Sequence, residues 1–230
     1  MKKSTLVLPS IRIVPYGCGW EDIYLNIGDT SLYFSISTVE GSSIQQLLRL
    51  LYYLYPRQRD PIHADDLHYY YGIREKKGEL LVVDRIVDRL SDEPLPYGFE
   101  EIPIKGSFEW SEEGAKSLWT IIRPPTYETE FPITLQITLL RDQTLHYTFS
   151  LSYKALCYAV AKACTQVIKT FGLFGYHQAV YEWDMNLRYL LFIKAIALDC
   201  LDTLSLSSKD GRPFASSLQN ELQLLLAEMD

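Results

Sequence analysis

Cysteine and histidine are scarce in this 230-residue chain, with four of each. Cys18, Cys157, Cys164 and Cys200 form no CxxC pair, and none stands at zinc-binding spacing from a histidine. That excludes a zinc-finger scaffold and a dithiol redox motif. The chain also lacks a GxSxG elbow, a phosphate loop and a GxGxxG turn. No cofactor is therefore expected. Long apolar runs are missing too. The N-terminal run Leu6-Val7-Leu8 stops at Pro9, too short for a signal peptide. The longest apolar stretch, around Leu187 to Leu198, is interrupted by Arg188 and Lys194, so it does not read as a membrane span. An excess of positive charge is likewise absent. Twenty-two basic and 29 acidic residues give a net charge of −7, which disfavours nucleic-acid backbones and anionic membrane surfaces. These absences point to a cytoplasmic protein whose thiols stay reduced.

What is present is ordinary globular material, 47% apolar and 22% charged. A chain of this size buries roughly 70% of its unfolded surface and needs no disulfide or metal to hold it. The acidic excess is concentrated. Between Glu79 and Glu113 stand ten acids and only three bases, Arg85, Arg89 and Lys105. Elsewhere the charges balance. This stretch reads either as a solvated insertion or as a lure for a cationic partner. Tyrosine is abundant, 17 residues, with clusters at Tyr52-Tyr53-Tyr55 and Tyr69-Tyr70-Tyr71. Such clusters suit core packing with a wet edge, or a protein-binding surface.

Periodicity places the elements. Ile11 to Val14 reads as a strand ended by Pro15. Asp22 to Ile27 and Ser31 to Ser37 read as strands joined by a Gly28-Asp29-Thr30 turn. Ser42-Ser43 opens a helix whose Ile44, Leu47, Leu48, Leu51, Leu54 and Tyr55 form one stripe, closed by Pro56. Leu80 to Leu90 reads as a short helix. Ser107 to Trp110, Leu118 to Arg123, Ile133 to Leu140 and Leu145 to Leu151 read as an antiparallel meander, turning at Glu112-Glu113-Gly114 and at Arg141-Asp142-Gln143. Ser152 caps a helix from Tyr153 to about Phe171, ended by Gly172. Further helices are expected around Asn186 to Cys200 and Ser216 to Glu228, the last with Leu218, Leu222, Leu225 and Leu226 inward. The expectation is one α+β domain over 1–230: an antiparallel β-meander sheet packed by helices on one face, with an acidic insertion at 57–105 after the first helix.

Candidate sites are few. His63, Asp65, Asp66 and His68 form the densest polar cluster. Such donors suit a divalent metal, but the five-residue histidine spacing departs from a zinc helix. A polar loop with an Asp cap is the simpler reading, and a small metal-dependent hydrolase the alternative. Gly17-Cys18-Gly19-Trp20 reads as a tight turn with a buried thiol. Glu109-Trp110-Ser111-Glu112-Glu113 sets an aromatic among three carboxylates at a hairpin, a pattern suited to receiving Lys or Arg from a partner. No catalytic residues emerge.

The early hairpin with its leucine-rich helix, the acidic Phe108-Glu109-Trp110 hairpin and the alternating Ile133 to Leu140 strand together give the chain a layout. So does the long helix ending at Phe171-Gly172, with Gly175-Tyr176 and Trp183 after it. That layout resembles the immunity-type proteins of bacterial toxin systems. The resemblance implies a cytosolic, non-enzymatic inhibitor of a cognate toxin that binds through acidic surface. On that reading Asp88, Glu100, Glu101, Glu109, Glu112 and Glu113 draw in a basic protein, and Tyr69, Tyr70, Tyr71 and Trp110 bury the contact. A third expectation is a homodimer formed through the apolar helix around Leu187 to Ile196.

Overall fold

The computed structural model describes residues 8–38, 43–55, 105–112, 114–124, 126, 128, 130–180, 185–204 and 217–229, and the backbone of 73–76 and 79–82. Nine strands form one sheet. They are β1 (Pro9–Gly17), β2 (Trp20–Ile27), β3 (Thr30–Ser37), β4 (Ile73–Lys76), β5 (Glu79–Val82), β6 (Lys105–Glu112), β7 (Ala115–Ile122), β8 (Pro132–Leu140) and β9 (Thr144–Ser152). Seven of them, β1-β2-β3-β6-β7-β8-β9, run antiparallel along the path of the sheet. β4 and β5 form a side hairpin, and β5 joins β6 in parallel. One flank of β6 is thus shared, with β5 against Lys105 to Ser107 and β3 meeting Glu112. Among the described residues the helices are α1 (Ser43–Leu54), α2 (Tyr153–Ala179), α3 (Leu187–Ala197) and α4 (Leu218–Leu226), with a 3-10 turn at Leu201–Leu204. The α+β class with a meander sheet and packed helices follows the sequence reading.

Strand alternation builds the core. Ile23, Leu25, Phe34, Ile36, Phe108, Trp110, Trp119, Ile121 and the odd residues Ile133 to Leu139 all point to the covered face. Trp110 and Trp119 lie 4.4 Å apart between ring centroids, and Phe34 meets both edge-on or tilted. α1 packs against β6, and α3 packs on both α1 and α2. The rings of Tyr52, Tyr53, Tyr189 and Phe192 interlock where α1 meets α3. The first tyrosine cluster is therefore core packing. α2 starts directly after β9, capped by Ser152, and packs along β1 at the opposite edge, where Gly19 N–H donates to the Ala179 carbonyl.

Several expectations are corrected. β1 continues past Pro15, because a bulge between Pro15 and Gly17 absorbs the missing donor. Glu79–Val82 is a strand, not the start of a helix; a short apolar run has no period of its own, and pairing with β4 and β6 decided it. Residues 83–90 lie outside the described residues. Gly172 kinks α2 with φ +67° and the helix resumes beyond it. α4 is turned from its expected orientation. Leu218, Leu222 and Leu226 are exposed and Leu224 is buried. The Lys194 ammonium, fully buried, donates to the carbonyls of Leu225 and Ala227 at 3.0 and 2.7 Å and to the Thr165 hydroxyl at 3.2 Å. That anchor fixes which face of a one-sided helix turns inward. The helix at Leu187 to Ile196 is not a free surface: Tyr189, Leu190, Phe192, Ile193 and Ile196 are buried within the chain. Of the expected insertion, only its rims at β4, β5 and Lys105 are described.

Trp119→Ala removes the indole at the centre of this core. The expected loss is about 3–5 kcal/mol of unfolding free energy in urea denaturation. Trp119→Phe should lose less, because it also removes an indole N–H that is buried without a partner among the described residues.

Candidate binding surface

Glu21 and Asp22 are consecutive in β2, so they face opposite sides of the sheet. Glu21 points inward and is wholly buried, reaching the first turn of α1. The Ser43 hydroxyl donates to its Oε2 and the Tyr176 hydroxyl donates to Oε1 at 2.8 Å. Burial pushes its carboxyl pKa up, and those two hydrogen bonds only partly oppose the shift. Asp22 points outward into a ring of phenols. Tyr16 and Tyr24 donate to Oδ2, the latter at 3.2 Å, and Tyr33 donates to Oδ1 at 2.9 Å. The Arg12 guanidinium lies 4.1 Å over the Tyr24 ring. Tyr16 and Tyr33 nonetheless remain 62% and 47% exposed. The hydrogen bond to Asp22 holds the Tyr16 phenol pKa up at about 12. The outer face of β1–β3 therefore presents amphipathic rings that cover a carboxylate, Asp22 being 1% exposed beneath them, and the exposed ring faces of Tyr16 and Tyr33 suit a guanidinium or ammonium group.

The acidic hairpin behaves differently. Glu109 is exposed on the outer face but pairs with Lys116 across β6–β7 at 2.6 Å. Glu112 pairs with Arg141 at 2.6 Å, and Arg141, from the β8–β9 turn, also donates to the Tyr33 carbonyl at 3.1 Å. Burial raises the Glu112 carboxyl pKa and the Arg141 charge opposes it. Both carboxylates thus have cations within the chain. Trp110 is corrected outright. It is 1% exposed, its ring facing the core rather than a partner, because it shares the inward phase of Phe108. Asp88, Glu100, Glu101, Glu113, Tyr69, Tyr70 and Tyr71 lie outside the described residues, as do His63, Asp65, Asp66 and His68. The Glu21–Asp22 pair escaped the sequence reading, although two adjacent carboxylates in a strand flanked by Tyr24 and Tyr33 carry the signal.

Among the described residues no three His, Cys, Asp or Glu side chains gather where a metal could be held. A cleft of about 320 Å³ runs between β1 and α2, lined by Arg12, Lys162, Lys169 and Glu228 among others. Lys169 and Glu228 are paired with each other. Cys157 and Cys164 share the buried face of α2, and burial pushes both thiol pKa values up. Cys18 is exposed, against expectation, at φ +54° between two glycines that are also left-handed. Tight backbone curvature there turns the side chain to solvent. No described helix is long and apolar enough to cross a membrane.

Two titrations check these environments. Glu21 binds its proton more tightly folded than unfolded, so its contribution to stability is present at acid pH and lost as pH climbs past the ordinary carboxyl range. Denaturation across that range should show the wild type losing stability relative to Glu21→Gln. Asp22→Asn should bring the Tyr16 phenol down from about 12 toward the ordinary tyrosine range, read by NMR titration of its ring carbons. Compared with known proteins, the chain matches no family model, no curated protein and no solved structure.

Proposed function

We propose that the protein is a non-catalytic binding protein of the immunity type, which occludes a basic partner protein through acidic and tyrosine-bearing surface. One observation carries this reading: the net charge of −7 belongs to a single stretch, Glu79 to Glu113, which runs from β5 to the end of β6. β5 pairs in parallel with β6, Glu79 opposite Lys105. The 22 residues between Val82 and Lys105, six acids among them and two bases, connect these two parallel neighbours, from the end of β5 to the start of β6. Six carboxylates against two bases within 22 residues make a dense run of negative charge, and a focused field speeds and orients the approach of a cationic protein. Since Glu109 and Glu112 already hold Lys116 and Arg141, the carboxylates assigned to the partner are Asp88, Glu100, Glu101 and Glu113. The aromatic contact falls to Tyr69, Tyr70 and Tyr71, with Trp110 withdrawn into the core.

The test is calorimetric binding of the full chain to the purified products of the genes adjacent to its own, at low and high salt. The expected outcome is a one-to-one complex, weakened about tenfold or more by high salt and by the combined change Asp88→Lys, Glu100→Lys and Glu101→Lys. Absence of a complex, or a complex indifferent to both salt and charge reversal, overturns the reading.

A further inference from the structure

The two ends of the seven-strand path are built differently. β1 carries Pro9, Arg12 and Pro15, is broken by a bulge, and has α2 packed along it. These are the devices by which proteins keep an edge from pairing with another chain. β9 has none of them. Its nine residues pair with β8 in unbroken register from Thr144 to Ser152. It contains no proline, lysine or carboxylate. Among the described residues it has one neighbouring strand. Its inward phase is incompletely covered: Leu145 is 45% exposed, and Tyr147 and Phe149 are half-buried with rings parallel at 6.4 Å. Its outward phase, Thr144, His146, Thr148 and Ser150, is exposed and uncharged apart from the histidine.

The sequence of this strand names its occupant. Thr144-Leu145-His146-Tyr147-Thr148-Phe149-Ser150-Leu151-Ser152 is nearly the same read in either direction about Thr148. Leu145 mirrors Leu151, Tyr147 mirrors Phe149, His146 mirrors Ser150, and Thr144 mirrors Ser152. Two antiparallel copies of one strand, related by a two-fold axis, place each residue opposite its mirror. We propose that β9 pairs with β9 of a second copy, about a two-fold axis through Thr148. Leu145 then lies beside Leu151 of the second copy and Tyr147 beside Phe149, so the open inward phase becomes a closed apolar and aromatic ladder. No two carboxylates and no two lysines meet across the axis. The axis stands perpendicular to the sheet, so both copies keep their helices on the same side and the sheets join into one. This inference is independent of the binding function above, because it uses neither the acidic stretch nor any of its residues.

Thr148 is the position to test, since a residue on the axis faces itself and its side chain points to solvent. Sedimentation equilibrium of the full chain should show a two-chain species. Thr148→Lys and Thr148→Glu should each weaken association about tenfold or more, through like charges on the axis, with unchanged circular dichroism. Mixing the two variants should restore a one-to-one dimer, which misfolding or a dimer formed elsewhere does not do. A wild type monomeric at every concentration overturns the proposal. So does a dimer that persists in both variants, or a mixture that fails to reassociate.

Discussion

The crossing of α2 from one edge of the sheet to the other is the constraint on which the rest depends. Ser152 ends β9 and caps α2 in one step, so the helix leaves the sheet at its last strand with no loop to redirect it. About 40 Å of helix then spans the covered face and finishes against the β1–β2 turn, where the Gly19 N–H donates to the Ala179 carbonyl. That path fixes the buried face, brings Tyr176 to Glu21, and shields β1. It also leaves the outer edge of β9 without a helix packed along it among the described residues, because the strand that launches the helix is not the edge the helix covers.

Two buried charged side chains, Glu21 and Lys194, each close a join between elements. Glu21 links β2 to α1 through Ser43 and to α2 through Tyr176. Lys194 links α3 to the C-terminal helix through two backbone carbonyls that would otherwise end that helix unpaired. Burial shifts both toward their neutral forms, Glu21 upward and Lys194 downward. Their value is positional. An apolar side chain in either place would fill the space without naming a partner.

The surface separates charge that is used internally from charge that is not. Glu109 and Glu112 steady the β6–β7 hairpin and tie it to the β8–β9 turn and to β3. Such partly exposed pairs contribute little stability each, but they occupy those carboxylates. Asp22 is treated otherwise: neutral phenols satisfy it, so its negative charge stays uncompensated by any neighbouring ion pair among the described residues. Acidic composition read along a sequence therefore overstates the surface open to a cationic protein, unless cross-strand cations are counted.

Alternation and capping settled much of this protein in advance. Gly28-Asp29-Thr30 set the β2–β3 hairpin, Ile133 to Leu140 declared which face was buried, Ser152 and Asn186 marked helix starts that the structure keeps, and the last helix, expected from about Ser216, is capped one residue later by Ser217. These features depend on residues close in sequence, where side-chain period and local hydrogen bonds act without help. Tertiary contact decided the rest. Trp110 was legible as an aromatic among acids but not as an inward residue, because its phase is set by Trp119 across the hairpin. The 79–82 run became a strand only when β6 offered it a partner, α4 turned according to Lys194 from another helix, and Glu21 and Asp22 acquired separate roles once Tyr176 and Tyr16 arrived from elsewhere. A chain carries its periods in its own order. Which of two possible faces is buried, and which charge finds a partner, depends on groups that only folding brings within a few ångströms.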